Sequence, residues 1–328
     1  VSLPVGIGLA GLGRWGRNYV KTLLALPECR LVAVADPNPA ALAAVADLPG
    51  VAKRESAARL FSDPTVEAVI IATPDHAHYS LSAAAVESGR DVLVEKPMTL
   101  TVAEAESLVR LAEAGSRVLA VGHTAVYSTA IDALRVQLDA LPCGATHRVT
   151  AERTSSGPPP VDSSLISRHS AILFDLCPHD IALAILLFGS PVAARAVSSR
   201  DGVEYAVRFE GDQLLEGRAE WRQPPHVRRF EVAGTESDLG IRQHVTSHND
   251  IRRTPLGRQC LDFIACCRSR RQPLSSGRLG LAVVRCLAAL DSSCADSGAW
   301  VQLHTEFRPS NDECRVADTE TPELGVRT

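Results

Sequence analysis

Gly11-Leu12-Gly13-Arg14-Trp15-Gly16 is a G-x-G-x-x-G turn between an apolar run and a helical pattern, and such a turn can hold a dinucleotide. Gly11 permits the tight turn, Gly13 lets a pyrophosphate approach the backbone, and Gly16 lets the helix pack against the strand. The N–H groups and the positive dipole end of that helix would face the phosphates. Asp36 stands 20 residues beyond Gly16. There a carboxylate would accept hydrogen bonds from the adenosine ribose and repel a 2′-phosphate, favouring NAD over NADP. A solvated aspartate in the turn Asp36-Pro37-Asn38 is the plainer alternative. The chain has three lysines (Lys21, Lys53 and Lys96) against 31 arginines. Where a lysine is kept, its chemistry differs from that of arginine: with a lowered pKa it can both offer charge and transfer a proton.

The elements that must position these residues read as follows. Apolar runs at 5–10, 31–35, 66–72, 90–94 and 117–121 predict strands, with helices over 15–26, 38–47, 77–88 and 102–115. Gly89 and Gly115 sit where helix C-caps are expected. This alternation predicts a parallel sheet covered on both faces. Asp36, Thr73-Pro74, Glu95-Lys96-Pro97 and His123 then fall at the carboxyl ends of strands, the edge where such sheets bind ligands. Beyond residue 124, helices are expected at 130–141 and 178–188, and strands at 146–154, 193–198, 203–209, 214–222 and 227–233. Helices at 257–270 and 277–296 and a strand at 299–304 follow. The expected organisation is an α/β chain: a dinucleotide-binding Rossmann domain over 1–123, then an α+β domain with an open, mainly antiparallel sheet over 124–307. A polar, disordered tail over 308–328 completes it.

A chain of 328 residues suits two domains, and a net charge of −4 with a pI near 6.2 argues against a general nucleic-acid surface. No apolar stretch reaches membrane-spanning length, so a cytoplasmic protein with neither nucleic-acid nor membrane partner is expected. The nine cysteines are scattered, and Cys260, Cys266 and Cys267 lack paired C-x-x-C spacing. Buried thiols are expected, and no metal site.

The stretch ATPDHAHYSLSAAAVESGRDVLVEKPMTLTVAEAESLV at 72–109, together with the glycine turn, resembles the glucose–fructose oxidoreductase, inositol dehydrogenase and MocA family. Ala72-Thr73-Pro74 with His78, and Glu95-Lys96-Pro97, match that family's two signature segments. FDLCPHDIALAILLFG at 174–189 resembles the D-L-x-P-H-D helix start of the branch acting on the 3-hydroxyl of nucleotide sugars. GHTAVY (122–127), RAEW (218–221), AGTES (233–237) and TPL (254–256) fit the same branch, so the resemblance covers nearly all of 5–304. It implies hydride exchange between a carbinol carbon of a sugar and a nicotinamide. His179 would take the hydroxyl proton, Lys96 would stabilise the oxygen's developing charge, and Asp175 would orient His179 or relay its proton. Gly11, Leu12, Gly13, Arg14, Trp15, Asp36, Thr73, Pro74, His78, Glu95, Lys96 and His123 would line the cofactor. A cis Lys96–Pro97 bond and a homodimer or homotetramer built on one face of the second sheet are implied as well.

Two departures stand out. Ala182 replaces the acid that many members carry three residues after the histidine, and the segment 155–170 is less basic than in the sugar-nucleotide branch. Plainer roles stay open at this point: a surface lysine for Lys96, a packed ring for His179, a backbone cap for Asp175 and helix-start charge for Asp180. His78 could be a solvated helix start, His123 a strand end and Trp15 a packed ring. Arg168 and His169 could bind an anion or face solvent. The expected function is NAD-dependent oxidation of a secondary hydroxyl, at C3, of a sugar, nucleotide sugar or aminoglycoside-like glycoside. The alternatives are an NADPH-dependent keto-sugar reductase and a non-catalytic nucleotide-sensing regulator.

Overall fold

Six parallel strands carry the glycine turn. In the computed structural model, which describes residues 3–45, 47–139, 148–156, 167–233, 250–305 and 307, these strands are β1 (Val5–Ala10), β2 (Cys29–Ala35), β3 (Ala52–Arg54), β4 (Ala68–Ile71), β5 (Asp91–Val94) and β6 (Leu119–Val121). Their order is β3-β2-β1-β4-β5-β6, the doubly wound dinucleotide-binding arrangement. The helices between them are α1 (Arg14–Leu24), α2 (Pro39–Ala43), α3 (Ala58–Phe61), α4 (His78–Glu87) and α5 (Val102–Ala114). β1, β4 and β5 are buried along their whole length, as strands covered on both faces must be. The short pair β3 and α3 carries too little periodicity to be read from sequence.

After α6 (Thr129–Asp139), a second six-stranded sheet is built from β7 (Arg148–Ser155), β8 (Pro191–Ser198), β9 (Gly202–Phe209), β10 (Leu214–Trp221), β11 (Arg228–Val232) and β12 (Val301–Gln302). Its order is β11-β7-β10-β9-β8-β12. The expected antiparallel pairing holds at every junction except one, since β10 runs parallel to β7. Helices α7 (Arg168–Leu176) and α8 (Pro178–Phe188) cross between β7 and β8. They supply Leu173, Phe174, Ile181 and Ile185 to the core under this sheet. Among the described residues no single helix is long and apolar enough to cross a membrane; α7 and α8 together pass only as a pair bent by 53°.

The C-terminal helices α9 (Pro255–Ser269) and α10 (Gly277–Ala295) tie the sheets together. Cys260, Phe263 and Ile264 of α9 pack in the same core as Tyr19, Val20 and Leu23 of α1. Val284 of α10 joins the other face of the parallel sheet. Between them, Ser275 and Ser276 lie along the edge of β6: the Val121 N–H donates to the Ser275 carbonyl at 2.8 Å. Asp262 sets this connection. Its buried carboxylate accepts from Tyr127 Oη at 2.8 Å, from the Leu274 N–H at 2.9 Å and from Arg271. The tail beyond Phe307 lies outside the described residues. Of the described cysteines, five are buried and Cys267 and Cys294 are half-buried, all as free thiols.

Asp262→Ala leaves the Arg271 charge and the Tyr127 hydroxyl without their partner. It is expected to lower stability by about 3–5 kcal/mol, checked by denaturant unfolding. A loss below about 1 kcal/mol would mean that the connection is held by other contacts.

Candidate active site

The first turn is a cradle open to one side. Gly11 has φ +92°, and a Cβ there would stand 2.4 Å from the Ala72 carbonyl oxygen. A Cβ on Gly16 would stand 1.9 Å from the Gly11 oxygen, whereas one on Gly13 would meet nothing within 4 Å. The two outer glycines therefore close the turn, and the middle one faces free space. Gly11 and Leu12 are buried; Gly13, Arg14 and Trp15 are exposed. No side chain caps the start of α1, so its N–H groups are free to address phosphates. Trp15, at 39% exposed, does not pack beneath the helix. Asp36 closes the other end: Oδ2 accepts from the Leu12 N–H and Oδ1 from the Asn38 N–H, both at 2.8 Å. It is thus no free carboxylate in a loop; it braces the glycine turn, with lone pairs left for hydroxyls. The Thr73 hydroxyl is buried and lacks a partner among the described residues. These features fit a bound dinucleotide.

Two loops at the strand ends converge on His78. Its Nδ1 lies 2.7 Å from the Pro97 carbonyl and its Nε2 3.0 Å from the Thr73 carbonyl. Burial lowers its pKa, opposed by those two carbonyls; the neutral ring donates to one of them. His78 therefore shapes the loops bearing Thr73, Pro74 and Lys96, and the Lys96–Pro97 bond is cis. Glu95 points inward. Its Oε1 accepts from Tyr19 Oη at 2.7 Å and its Oε2 from the Lys96 N–H at 3.2 Å, and Gln259 Nε2 donates to Tyr19 Oη at 2.8 Å. Burial raises the Glu95 pKa.

From this platform the Lys96 side chain crosses to the second sheet's helices. Nζ donates to the Asp175 carbonyl oxygen at 2.7 Å and lies 3.2 Å from its Oδ1. This corrects one expectation: Asp175 engages Lys96, not His179. The 53° bend between α7 and α8 sets Pro178 at the first position of α8, so Asp175 and His179 do not share the face of one helix. His179 instead stands at the start of α8 with Nδ1 buried and unpartnered among the described residues. Its ring centroid is 6.4 Å from that of His123. Burial pushes the His179 pKa well down, reinforced by Arg153, Lys96, His123 and Arg228. Burial likewise pushes His123 down to about 3.

Asp180 is more than helix-start charge. It is 1% exposed and accepts from both Arg153 Nε, at 3.0 Å, and Nη2. Arg153, beneath His179, was missed from sequence although a signal exists. It falls in phase with the buried Val149 and Ala151 on β7, where an arginine at an inward position needs a buried acid. Arg168 pairs with Asp201 at 3.4 Å and His169 with Asp291 at 3.3 Å. Residues 157–166 of the loop and 234–237 of AGTES lie outside the described residues.

Comparison with known proteins adds to this geometry. Residues 5–123 match the family described as "Oxidoreductase family, NAD-binding Rossmann fold" (GFO_IDH_MocA). Over these residues the chain resembles the nucleotide domain of this Gfo/Idh/MocA oxidoreductase family. Scyllo-inositol 2-dehydrogenase (NAD(+)) of Bacillus subtilis is 29% identical over 74% of this chain and 76% of its own length. UDP-N-acetylglucosamine 3-dehydrogenase of Acidithiobacillus ferrooxidans is 33% identical over 58% of this chain and 56% of its own. The crystal structure of GenD2 from gentamicin A biosynthesis in complex with NAD superposes with a TM-score of 0.81 at 24% identity, over 92% of this chain and 97% of that one. The family is one of sugar and polyol oxidoreductases with an NAD-binding Rossmann domain.

A pH prediction follows from His123. Its folded pKa of about 3 lies below the ordinary 6.5, so below that value the unfolded chain binds the proton and the fold does not. Stability is then full above pH 6.5 and falls as pH drops from 6.5 towards 3. Between pH 7 and 5, His123 alone is expected to remove about 2 kcal/mol, read from urea midpoints and reduced in His123→Gln. An equal fall in that variant would contradict it.

Proposed function

We propose that the chain is an NAD-dependent dehydrogenase that oxidises a secondary hydroxyl of a sugar, nucleotide sugar or related glycoside to a ketone. The observation carrying this reading is the meeting of Lys96 Nζ, from the end of β5, with Asp175 in the last turn of α7, directly before the start of α8 that bears His179. An ammonium group and a neutral imidazole then flank one cleft beside the nucleotide turn. NAD, when bound, accepts the hydride from the carbinol carbon. The residues do the rest. His179, kept neutral by burial and by the cations around it, accepts the hydroxyl proton. Lys96 donates a hydrogen bond to the same oxygen and stabilises its negative charge. Asp175 holds Lys96 in place, and Glu95, through the Lys96 N–H, fixes the backbone from which it reaches. The 3-position is favoured by the D-L-x-P-H-D-like helix start and by the kinship with the UDP-N-acetylglucosamine 3-dehydrogenase.

Asp36 favours NAD, because its carboxylate, braced at the ribose end of the cradle, would repel a 2′-phosphate. The presence of both Lys96 and His179 suits chemistry and speaks against the regulator reading. A homodimer or homotetramer through the open face of the second sheet, and a cytoplasmic location, complete the proposal.

Incubation with NAD and a panel of nucleotide sugars, cyclitols and aminoglycosides should yield NADH with at least one member. Turnover with NADP should be at least about tenfold lower; a preference for NADPH in the reducing direction would favour the reductase. Lys96→Ala should lower kcat by about 10²-fold or more while NAD binding, read by calorimetry, is retained. Unchanged turnover would end the role given to Lys96.

A further inference from the structure

Two imidazoles meet in the cleft, and the fold leaves one nitrogen of each without a partner. His123 is 1% exposed. Its Nδ1 lies 3.1 Å from Ser275 Oγ, whereas its Nε2 is buried and unpartnered among the described residues. His179 Nδ1 is buried and unpartnered in the same way. The ring centroids are 6.4 Å apart and the planes cross at 82°. The two acids flanking His179 in sequence are both engaged elsewhere: Asp175 with Lys96 and Asp180 with Arg153. Buried nitrogens are rarely left unbonded, and a span too wide for a direct bond is commonly closed by water.

We propose that these two nitrogens serve one another through a single bridging water, so that His123 is the positioning residue that selects the tautomer of His179. The proposal rests on the dehydrogenase reading, which needs a lone pair on His179 Nε2. A neutral imidazole carries one N–H and one lone pair. His123 Nδ1–H donates to Ser275 Oγ, leaving a lone pair on Nε2. That lone pair accepts from the water, and the water accepts from His179 Nδ1–H. The hydrogen of His179 is thereby kept on its buried side, and Nε2 is left free to accept a proton from the substrate hydroxyl. Ser275 is held for this task by its own backbone: its carbonyl accepts from the Val121 N–H, and its N–H donates to Tyr127 Oη at 3.2 Å. The chain Asp262–Tyr127–Ser275–His123 thus runs from a buried carboxylate to His123 and, through the water, on to His179.

Two-bond proton–nitrogen correlation spectra of the full chain, labelled with 15N-histidine and saturated with NAD at neutral pH, read each tautomer without turnover. Both His123 and His179 are expected as Nδ1–H. His123→Leu should move His179 towards the Nε2–H form and lower kcat by at least about tenfold, within the span of general-base effects, with NAD affinity unchanged. His123→Gln, which keeps a polar group near the position of Nε2, should retain the Nδ1–H form and most of the turnover. Ser275→Ala should mix the tautomers of His123 and, if the leucine variant does not fold, carries the same test. A His179 tautomer unmoved in His123→Leu and Ser275→Ala would overturn the proposal, as would a loss of NAD affinity in its place, which would assign Nε2 of His123 to the cofactor. Absence of turnover on every sugar counts against the dehydrogenase reading alone, because the tautomer shifts are read without it.

Discussion

One contact couples the two halves of the molecule where chemistry must occur: the ammonium of Lys96 on the backbone and carboxylate of Asp175. Lys96 leaves the carboxyl edge of the parallel sheet and Asp175 ends α7 beneath the other sheet. The lysine is mostly buried, at 14% side-chain exposure against 28% for the aspartate, so the pair is only partly screened by solvent. On the proposed reading, a nucleotide on the first sheet and a substrate against the second would react only if this junction has a fixed geometry. The supports of Lys96 follow from that need. Glu95 and Tyr19 brace its backbone, and the His78 ring lies between the Pro97 and Thr73 carbonyls and donates to one of them.

The electrostatics of the cleft serve the same end. Arg153 and Lys96 disfavour a second positive charge on His179, and so does desolvation. The imidazole is therefore available as a base without having first to lose a proton. Arg153 itself is tolerated because Asp180 answers it with two hydrogen bonds. The acid that braces Arg153 and the acid that braces Lys96 lie on either side of His179 in sequence, yet among the described residues neither hydrogen-bonds its ring. His179 is thus separated from the acids near it in sequence, and its buried nitrogen has no partner among the described residues.

Much of this was legible in the residues. The period of the first domain placed β1, β2, β4, β5 and β6 and put Asp36, Thr73, Lys96 and His123 at one edge. The glycine spacing announced a tight turn, and the backbone closes it at Gly11 and Gly16 and leaves free space at Gly13. Elements of three to five residues, such as β3 and α3, lack the length to show a period. The parallel pairing of β10 with β7 is a long-range choice that no local pattern encodes. Asp175 was misassigned because sequence spacing carries no direction: the bend at Pro178 rotates it away from His179 and towards a lysine 79 residues earlier. Arg153 escaped notice for the opposite reason, its partner being 27 residues on.

The central claim is that an ammonium and an imidazole from separate halves of the chain converge on one alcohol oxygen. A crystal structure of the protein with NADH and the sugar it oxidises tests this most directly. The account predicts a single hydroxyl oxygen within hydrogen-bonding distance of both Lys96 Nζ and His179 Nε2, with the ring of the nicotinamide alongside. A sugar whose hydroxyl meets Lys96 alone, with His179 turned into the protein, would contradict it.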